Sequence, residues 1–216
     1  MSVTISEAVK YIGVDDKTID LFESQYVVPH GVSYNSYLIF DEKVALMDTV
    51  DARGMEQWEK NLLAALDGRK VDYLIVSHLE PDHAGSIGRL VELFPEVTLV
   101  GNAKTFQMLP QFFDELPVDE NHKITVAEGE SLSLGTHTLN FYMAPKVMVT
   151  YESSEKILFS ADGFGKFGAL DYEDPEGWAC EARRYYFNIV GKYGAPVQAL
   201  LKKAAGLDIQ TICPLH

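Results

Sequence analysis

Residues 77–86 read Ser-His-Leu-Glu-Pro-Asp-His-Ala-Gly-Ser and carry the densest cluster of potential metal ligands in the chain. Four side chains that can bind a metal occupy six positions: His78, Glu80, Asp82 and His83. Imidazoles and carboxylates without a thiolate suit iron, manganese or zinc. The alternative is a solvated polar loop in which the two histidines are incidental. The density of potential ligands favours a metal site.

The flanking residues place this cluster on a loop between a strand and a helix. The apolar run at 73–76, Tyr-Leu-Ile-Val, predicts a short buried strand. Pro81 cannot donate to a β-ladder, which indicates that the strand has ended before it. A helical pattern starts at 84–91. The cluster is therefore expected at the carboxyl end of a strand, where open α/β sheets place their ligands.

Composition excludes several classes of protein. The chain has 216 residues, 47% of them hydrophobic, and a net charge of −14. This charge argues against a nucleic-acid partner and against binding to an anionic membrane. No apolar run of transmembrane length and no signal-peptide pattern occur. Two cysteines, Cys180 and Cys213, make no disulfide framework, so a reducing cytoplasm is the expected setting.

Hydrophobic periodicity predicts an α/β fold with helices outside two sheets. In the first part we expect strands and helices to alternate: strands at 37–40, 44–47, 73–77 and 97–100, and helices at 55–66, 84–94 and 103–113, the last interrupted at Pro110. Between 123 and 160 a period of two predicts short strands. The final part predicts helices at 175–190 and 195–205 and a strand at 208–212. The aromatic residues of the first of these helices, including Tyr185, are expected in the core or in a dimer surface.

Two more predicted strand ends carry potential ligands. Asp162 follows the apolar run 157–159, and His216 is the last residue of the sequence given. Taken singly, Asp162 could form an Asx turn and His216 could be a frayed terminal group. Taken with the first cluster, they would supply enough ligands for two metals, with Asp162 bridging them.

The combined motif resembles the metallo-β-lactamase-like domain of the flavodiiron proteins, also called A-type flavoproteins. The motif is His-x-Glu-x-Asp-His at 78–83, then the distant Asp162, then the C-terminal His216. The hydrolases of that superfamily usually have His-x-His-x-Asp-His, so Glu80 marks the flavodiiron variant. The resemblance covers nearly the whole chain and implies an αββα sandwich of two mixed sheets with helices outside.

The resemblance also implies a set of iron ligands. One iron would take His78 and Glu80, and the other would take Asp82 and His216. Asp162 would bridge the two irons. His83 is a ligand in some members of the family and swings off the metal in others. Zinc would be the expected substitute for iron.

By the same resemblance, the family reduces oxygen to water or nitric oxide to nitrous oxide. Electrons arrive from FMN in a following flavodoxin-like domain, commonly that of the partner subunit in a head-to-tail dimer. A homodimer and a redox partner such as rubredoxin are therefore expected, with neither nucleic acid nor membrane as a partner.

The sequence departs from the family in one ligand segment. Members carry a further histidine ligand in a His-Trp-Pro segment shortly after an Ala-Pro pair. Here Ala144-Pro145 runs directly into Lys146-Val147. Either this protein has lost the loop, or the sequence given omits residues. His122 and His137 lie in polar turn-like stretches and are expected at the surface rather than on a metal.

A second departure concerns the flavin. Residues 1–216 are expected to form the di-iron domain alone, with the flavodoxin-like domain absent from this chain and FMN supplied by a missing domain or by a partner. The glycine-rich stretch at 163–168 does not match a phosphate-binding pattern. The isolated chain is therefore expected to be only weakly active.

Two other functions stay open at this stage. A metal-dependent hydrolase of the same superfamily, acting on thioesters or lactones, would need no flavin, but Glu80 disfavours it because hydrolytic zinc sites prefer imidazole there. A metal-free binding module is the other alternative, and the absent histidine segment makes it conceivable.

Overall fold

Two β-sheets face each other, with helices on their outer sides. The structure is a computed structural model that describes residues 3–113, 116–144, 147–173, 175 and 177–216. In chain order its strands are β1 (Val3–Thr4), β2 (Val9–Tyr11), β3 (Val14–Asp16), β4 (Leu21–Phe22), β5 (Tyr26–Val27), β6 (Val32–Tyr34), β7 (Tyr37–Phe40), β8 (Val44–Met47), β9 (Tyr73–Ile75), β10 (Thr98–Gly101), β11 (Lys123–Thr125), β12 (Ser131–Ser133), β13 (Thr138–Met143), β14 (Met148–Glu152), β15 (Ile157–Phe159) and β16 (Thr211–Cys213).

The helices are α1 (Met55–Leu66), α2 (Pro81–Ala84), α3 (Ile87–Leu93), α4 (Ala103–Phe112), α5 (Trp178–Tyr185) and α6 (Gly194–Ala204). A π-helical turn, Tyr186–Val190, continues α5 without a break. Short 3₁₀ turns occupy Ala52–Gly54, Glu120–His122 and Gly191–Tyr193. Among the described residues, no helix is both long and apolar enough to cross a membrane.

The first sheet has the strand order β1-β2-β7-β8-β9-β10-β11, and the second has the order β12-β13-β14-β15-β16. Strands β8, β9, β10 and β11 run parallel to one another, and β15 runs parallel to β16. The other pairs in both sheets are antiparallel. Strands β3 and β6, and β4 and β5, form two further two-stranded ribbons. The sheets are therefore mixed, as the family resemblance implies.

Three apolar clusters account for the layers. Residues from both sheets, such as Ile75 and Phe141, meet in a buried cluster between them. The outer face of the first sheet packs against α1 through Trp58 and Leu62, neither of which is exposed. The outer face of the second sheet packs against Leu200 of α6. This arrangement confirms the predicted αββα sandwich, and burial of these faces stabilises it.

Some predicted boundaries are wrong. Helix α4 continues through Pro110 to Phe112. Proline removes one backbone donor, but the helix persists because its amphipathic face around the buried Leu109 packs on the core. The helix predicted from residue 175 begins at Trp178. The final strand is Thr211–Cys213 rather than 208–212, and its register is set by pairing with β15.

One partly buried carboxylate joins the two sheets at the end away from any predicted ligand. Asp41, in the turn between β7 and β8, accepts hydrogen bonds from the His137 N–H at 2.6 Å and from the Thr136 hydroxyl at 3.0 Å. The His137 Nδ1 lies 2.8 Å from the same oxygen. Burial opposes ionisation, but the bonds from His137 and from the Glu42 N–H hold the pKa of Asp41 well below its usual range.

We expect Asp41→Asn to lower the free energy of unfolding at pH 7 by about 1–2 kcal/mol, the scale of a lost charge-assisted hydrogen bond in a partly buried site. Because the folded-state pKa is depressed, this contribution is fully present above the unfolded pKa of about 4 and is lost progressively as pH falls from there toward the depressed folded-state pKa. Urea unfolding of both proteins between pH 7 and pH 3 measures it. A difference that persists unchanged at pH 3 would contradict the ionic origin of the effect.

Candidate metal centre

Three strand ends meet at one edge of the sandwich. Strand β9 leads into Ser77 and His78, β15 leads into the turn that carries Asp162, and β16 leads to His216. Strands β15 and β16 are parallel neighbours with Phe159 paired to Cys213, so the residues beyond them leave the sheet side by side. The Met148 N–H donates to the Ser77 carbonyl at 3.0 Å and thereby joins the two sheets at this edge.

The helix that follows β9 positions the other ligand candidates. Glu80 has an extended backbone and stands at the N-terminal cap of α2, with Pro81 as the first helical residue. Proline is favoured there because its missing N–H would have no helical partner. Asp82 and His83 then lie in the single turn of α2. The local sequence thus explains why these side chains project from a short, well-defined turn.

Three side chains form what we call the His78 set: His78, Glu80 and Asp162. His78 Nε2 lies 3.3 Å from Glu80 Oε2 and 3.1 Å from Asp162 Oδ2. His78 is buried, whereas the Glu80 side chain is 49% exposed. Burial opposes protonation, but the Asp162 and Glu80 carboxylates raise the pKa of His78 well above its usual value. A cation beside these carboxylates would be favoured for the same electrostatic reason.

Four side chains form the His216 set: Asp82, His83, His216 and the shared Asp162. His83 Nε2 and His216 Nε2 are 2.8 Å apart, and Asp82 Oδ2 lies 3.3 Å from His216 Nε2 and 3.5 Å from His83 Nε2. Asp162 Oδ1 lies 3.9 Å from His83 Nε2. Asp162 therefore directs one oxygen toward each set.

The chemistry of the His216 set fits a metal ion. His216 Nδ1 hydrogen-bonds the Ser33 carbonyl at 2.8 Å, so its Nε2 is the lone-pair nitrogen in the neutral ring. Burial lowers the pKa of His83 to about 4, which keeps this imidazole neutral at pH 7. Single atoms of Asp82, His83 and His216 all lie within 4.8 Å of one another. Convergent acceptors of this kind are stabilised by a cation between them.

Unpartnered buried atoms support the same conclusion. In the described part of the chain, Asp82 Oδ1 and His83 Nδ1 are buried and have no hydrogen-bond partner. A metal ion or an ordered water beside Asp82 Oδ1 would satisfy that atom, whereas His83 Nδ1 lies on the opposite side of the ring from Nε2 and needs a partner of its own. The donor set contains nitrogen and oxygen but no sulfur, which suits iron, manganese or zinc.

Several supporting residues escaped the sequence analysis. The Asp48 carboxylate, fully buried behind the ligand loop, accepts a hydrogen bond from the Ser77 N–H at 2.7 Å. Burial raises the pKa of Asp48 to about 7. Asp48 has a left-handed backbone, φ +52°, directly after β8. In the sequence, the sign of this role is a carboxylate directly after a predicted strand. Only the pairing of β8 with β9 shows that Asp48 supports the ligand loop.

A cavity of about 510 Å³ opens onto the His78 set. His78, Glu80 and Asp162 line one side of it, and the remainder is mostly apolar surface from α5, the π-helical turn and α6. Tyr185 also lines it, is 1% exposed, and has a hydroxyl without a hydrogen-bond partner among the described residues. Its ring centre lies 5.4 Å from that of His216. The helical pattern alone indicated only packing for this residue.

The structure brings together all six predicted ligand residues and leaves His122 and His137 elsewhere. His137 pairs with Asp41, and His122 Nδ1 lies 3.0 Å from Asp119. The histidine-bearing segment of the family would follow residue 144. That position lies partly outside the described residues, because Pro145 and Lys146 are not described. Ala144 and Val147 exchange backbone hydrogen bonds at 2.9 and 3.2 Å. The sequence between them is two residues long and contains no histidine.

Known proteins are similar to this chain over its whole length. The family model for the ODP family beta lactamase matches residues 32–216. A nitric oxide reductase from Moorella thermoacetica is 34% identical, with 99% of this chain and 56% of that protein covered. The rubredoxin oxygen:oxidoreductase from Desulfovibrio gigas superposes with a TM-score of 0.92 at 29% identity, covering 100% of this chain and 56% of that one.

A flavodiiron protein from Giardia intestinalis gives a TM-score of 0.90 at 27% identity, covering 100% of this chain and 54% of that one. The chain thus spans about half the length of the relatives it matches. The family model covers most of the chain, and the two solved structures superpose on all of it. The chain therefore belongs to the ODP beta-lactamase family, as a metallo-β-lactamase-like domain of the flavodiiron type.

Proposed function

We propose that this chain is the di-iron domain of a flavodiiron-type oxidoreductase, reducing oxygen to water or nitric oxide to nitrous oxide. The observation that carries the proposal is the pair of ligand sets that share Asp162, with one oxygen toward His78 and the other toward His83. Names of relatives, a nitric oxide reductase and a rubredoxin oxygen:oxidoreductase, support this reaction class.

Each residue has a definite part in this proposal. His78 and Glu80 would hold one iron, Asp82, His83 and His216 would hold the other, and Asp162 would be available to both. When bound, the iron pair supplies the redox chemistry for reducing a small diatomic ligand. The Ser33 carbonyl orients His216 through its Nδ1, which directs Nε2 toward the metal position. The apolar cavity wall excludes water from the side where the substrate enters.

Electrons and partners come from outside these 216 residues in our proposal. A flavodoxin-like domain carrying FMN, in the same or another polypeptide, would reduce the irons. A rubredoxin-type protein would in turn reduce the flavin, as the names of relatives suggest. We also propose that the protein is a homodimer located in the cytoplasm. Residues 1–216 form one di-iron domain in this proposal.

A hydrolase is the second candidate, and the cavity is what favours it. A volume of about 510 Å³ exceeds what a diatomic molecule occupies and would admit a thioester or lactone. Glu80 weighs against it, because a carboxylate in place of a second imidazole makes that metal a weaker Lewis acid. Zinc in place of iron would accompany this alternative function.

Metal content tests the di-iron proposal directly. Protein purified without oxygen is expected to contain iron in excess of zinc, and ferrous iron should bind the metal-free chain in two steps. The His216 set has four side chains and the His78 set three, so the first step should be tighter by about 10-fold or more. His216→Ala should remove the tight step and His78→Ala the weak one. Two equally tight irons per chain would contradict this order, and zinc alone would favour the hydrolase.

A further inference from the structure

The segment that brings His216 to the metal centre is held by two buried side chains that have no role so far. Beyond β16, the Pro214 carbonyl accepts one hydrogen bond from the Asn35 side-chain amide at 3.0 Å and another from the Tyr37 hydroxyl at 2.7 Å. Asn35 and Tyr37 are both almost fully buried. Hydrogen bonds are stronger in such surroundings than in water, so two donors on one carbonyl hold that peptide group firmly.

Further hydrogen bonds extend this contact to the next two residues. The Asn35 N–H donates to the Leu215 carbonyl at 2.9 Å, and His216 Nδ1 lies 2.8 Å from the Ser33 carbonyl. Residues 33, 35 and 37 thus run alongside residues 216, 215 and 214 in the opposite direction. The position of the His216 imidazole is therefore set over three successive residues and not by its own bond alone.

The same segment is joined to the turn that carries Asp162. The Leu215 N–H donates to the carbonyl of Ala161, the residue before Asp162, at 3.0 Å. Ala161 has a left-handed backbone with a φ of +50°, which is uncommon for a residue other than glycine and persists where the surroundings impose it. The bond from Leu215 is one such constraint. A displacement of residues 214–215 would therefore move His216 and Asp162 together.

Tyr37 connects the two strands that lead to these ligands. Its ring packs edge-on against Phe159 of β15, with ring centres 5.5 Å apart, while its hydroxyl reaches Pro214 beyond β16. On another side the Tyr37 ring packs edge-on against Tyr11, with ring centres 5.7 Å apart, which restrains its orientation. Tyr37 therefore fixes the ends of β15 and β16 relative to each other, although it belongs to neither ligand set.

We infer that Tyr37 and Asn35 are positioning residues of the metal centre, because their bonds to the Pro214 carbonyl hold the His216 imidazole where Nε2 can bind a metal. This inference rests on the proposed function, since it presupposes a metal at the His216 set. Groups that orient a metal ligand typically contribute about 10–100-fold to metal affinity. Tyr37 acts through the peptide groups between Pro214 and His216, so we expect the lower end of that range, about 10-fold.

The test removes the Tyr37 hydroxyl and leaves the ring in place. Tyr37→Phe keeps the packing against Phe159 and loses the bond to Pro214. The control, Tyr151→Phe, loses a bond of the same kind, because the Tyr151 hydroxyl donates to the Asp208 carbonyl at 2.9 Å. Tyr151 is also buried and lies in the same sheet, but its partner precedes β16 instead of following it. Circular dichroism and melting of the metal-free proteins verify folding and compare the loss of stability.

Two titrations of the metal-free full chain without oxygen give the result. Ferrous iron measures the affinity of the first, tighter step, and cobalt(II) gives a visible absorption spectrum that reports the coordination geometry of the first ion bound. In Tyr37→Phe we expect a first step about 10-fold weaker and an altered cobalt spectrum, with both unchanged in Tyr151→Phe. A merely structural role would lower the melting temperature and leave the cobalt spectrum as it is. Asn35→Ala, which removes the other donor, replaces Tyr37→Phe if that variant does not fold.

An unchanged first step and cobalt spectrum in the folded variant would overturn the inference and leave the di-iron proposal to its own test. Equal weakening in Tyr37→Phe and Tyr151→Phe would also overturn it, because lost stability would then account for both. A wild type that binds neither iron nor cobalt would overturn the proposed function, and the inference with it.

Discussion

Replacing Asp162 by alanine is expected to remove both metals, because this carboxylate faces both ligand sets. Its Oδ2 lies 3.1 Å from His78 and its Oδ1 lies 3.9 Å from His83. Removing an orienting group behind a ligand typically weakens metal binding by about 10–100-fold, so loss of a shared ligand should weaken both sites by at least about 100-fold. Activity of the complete, reconstituted system should fall to below about 1% of wild type for the same reason.

Asp171→Ala is the matched control for this variant. Asp171 is an exposed aspartate whose carboxylate pairs with Lys17, and it has no part in either ligand set. Iron content after anaerobic loading, measured together with far-ultraviolet circular dichroism, separates metal loss from unfolding. Two tightly held irons in folded Asp162→Ala would rule out a shared ligand and with it the di-metal arrangement.

The second large effect is the dependence of activity on a flavin domain. The iron-loaded chain alone is expected to turn over slowly with oxygen or nitric oxide. Reduction of oxygen to water needs four electrons and an iron pair stores two, and conversion of two nitric oxide molecules to nitrous oxide uses both stored electrons, so either reaction stops until the pair is reduced again. Adding a flavodoxin-like domain with FMN, fused or in trans, should raise the turnover rate with a reduced donor by about 100-fold or more when the domain is tethered. Oxygen and nitric oxide consumption, measured with and without that domain, gives the ratio.

Thioester hydrolysis by the same preparations is the control that separates the two candidate functions. A hydrolase would be active without flavin, and its rate would not respond to a reduced donor. Fast thioester hydrolysis by the isolated chain, combined with no reductase activity under either condition, would decide in favour of the hydrolase. The large apolar cavity makes this comparison necessary.

The sequence predicted most of the αββα sandwich because its elements carry strong local signals. The hairpin of β7 and β8, helix α1 and strand β9 each show the periodicity of their type, and the structure places them within one or two residues of the predicted bounds. Boundaries without a local signal were missed, such as the passage of α4 through Pro110 and the start of α5 at Trp178. Packing of the face around the buried Leu109 carries α4 past Pro110, whereas α5 begins directly after Gly177, whose φ of +77° lies outside the helical range.

The metal centre likewise combines residues that the sequence predicts with residues that only tertiary structure brings together. Sequence alone determined four of the ligand candidates, because His78, Glu80, Asp82 and His83 are close neighbours just after β9 and reach the same place by local geometry. The predicted loop is shorter than expected, since Asp82 and His83 already lie in helix α2. It also marked Asp162 and His216 as polar residues beyond predicted strands, but no local rule brings them to that loop. The parallel pairing of β15 with β16 places them together, and packing of one sheet on the other places them against β9.

Only the tertiary structure decided the surroundings of the centre. Asp48 reaches Ser77 because β8 and β9 are paired, Tyr185 reaches the cavity because α5 packs over His216, and β4 reaches the centre because Phe22 is buried against that same ring. These contacts join residues up to almost two hundred positions apart in the chain, from β4 to His216. Hydrophobic burial, which is non-directional and acts across any sequence separation, brings such residues together, so a reading of local patterns cannot detect them.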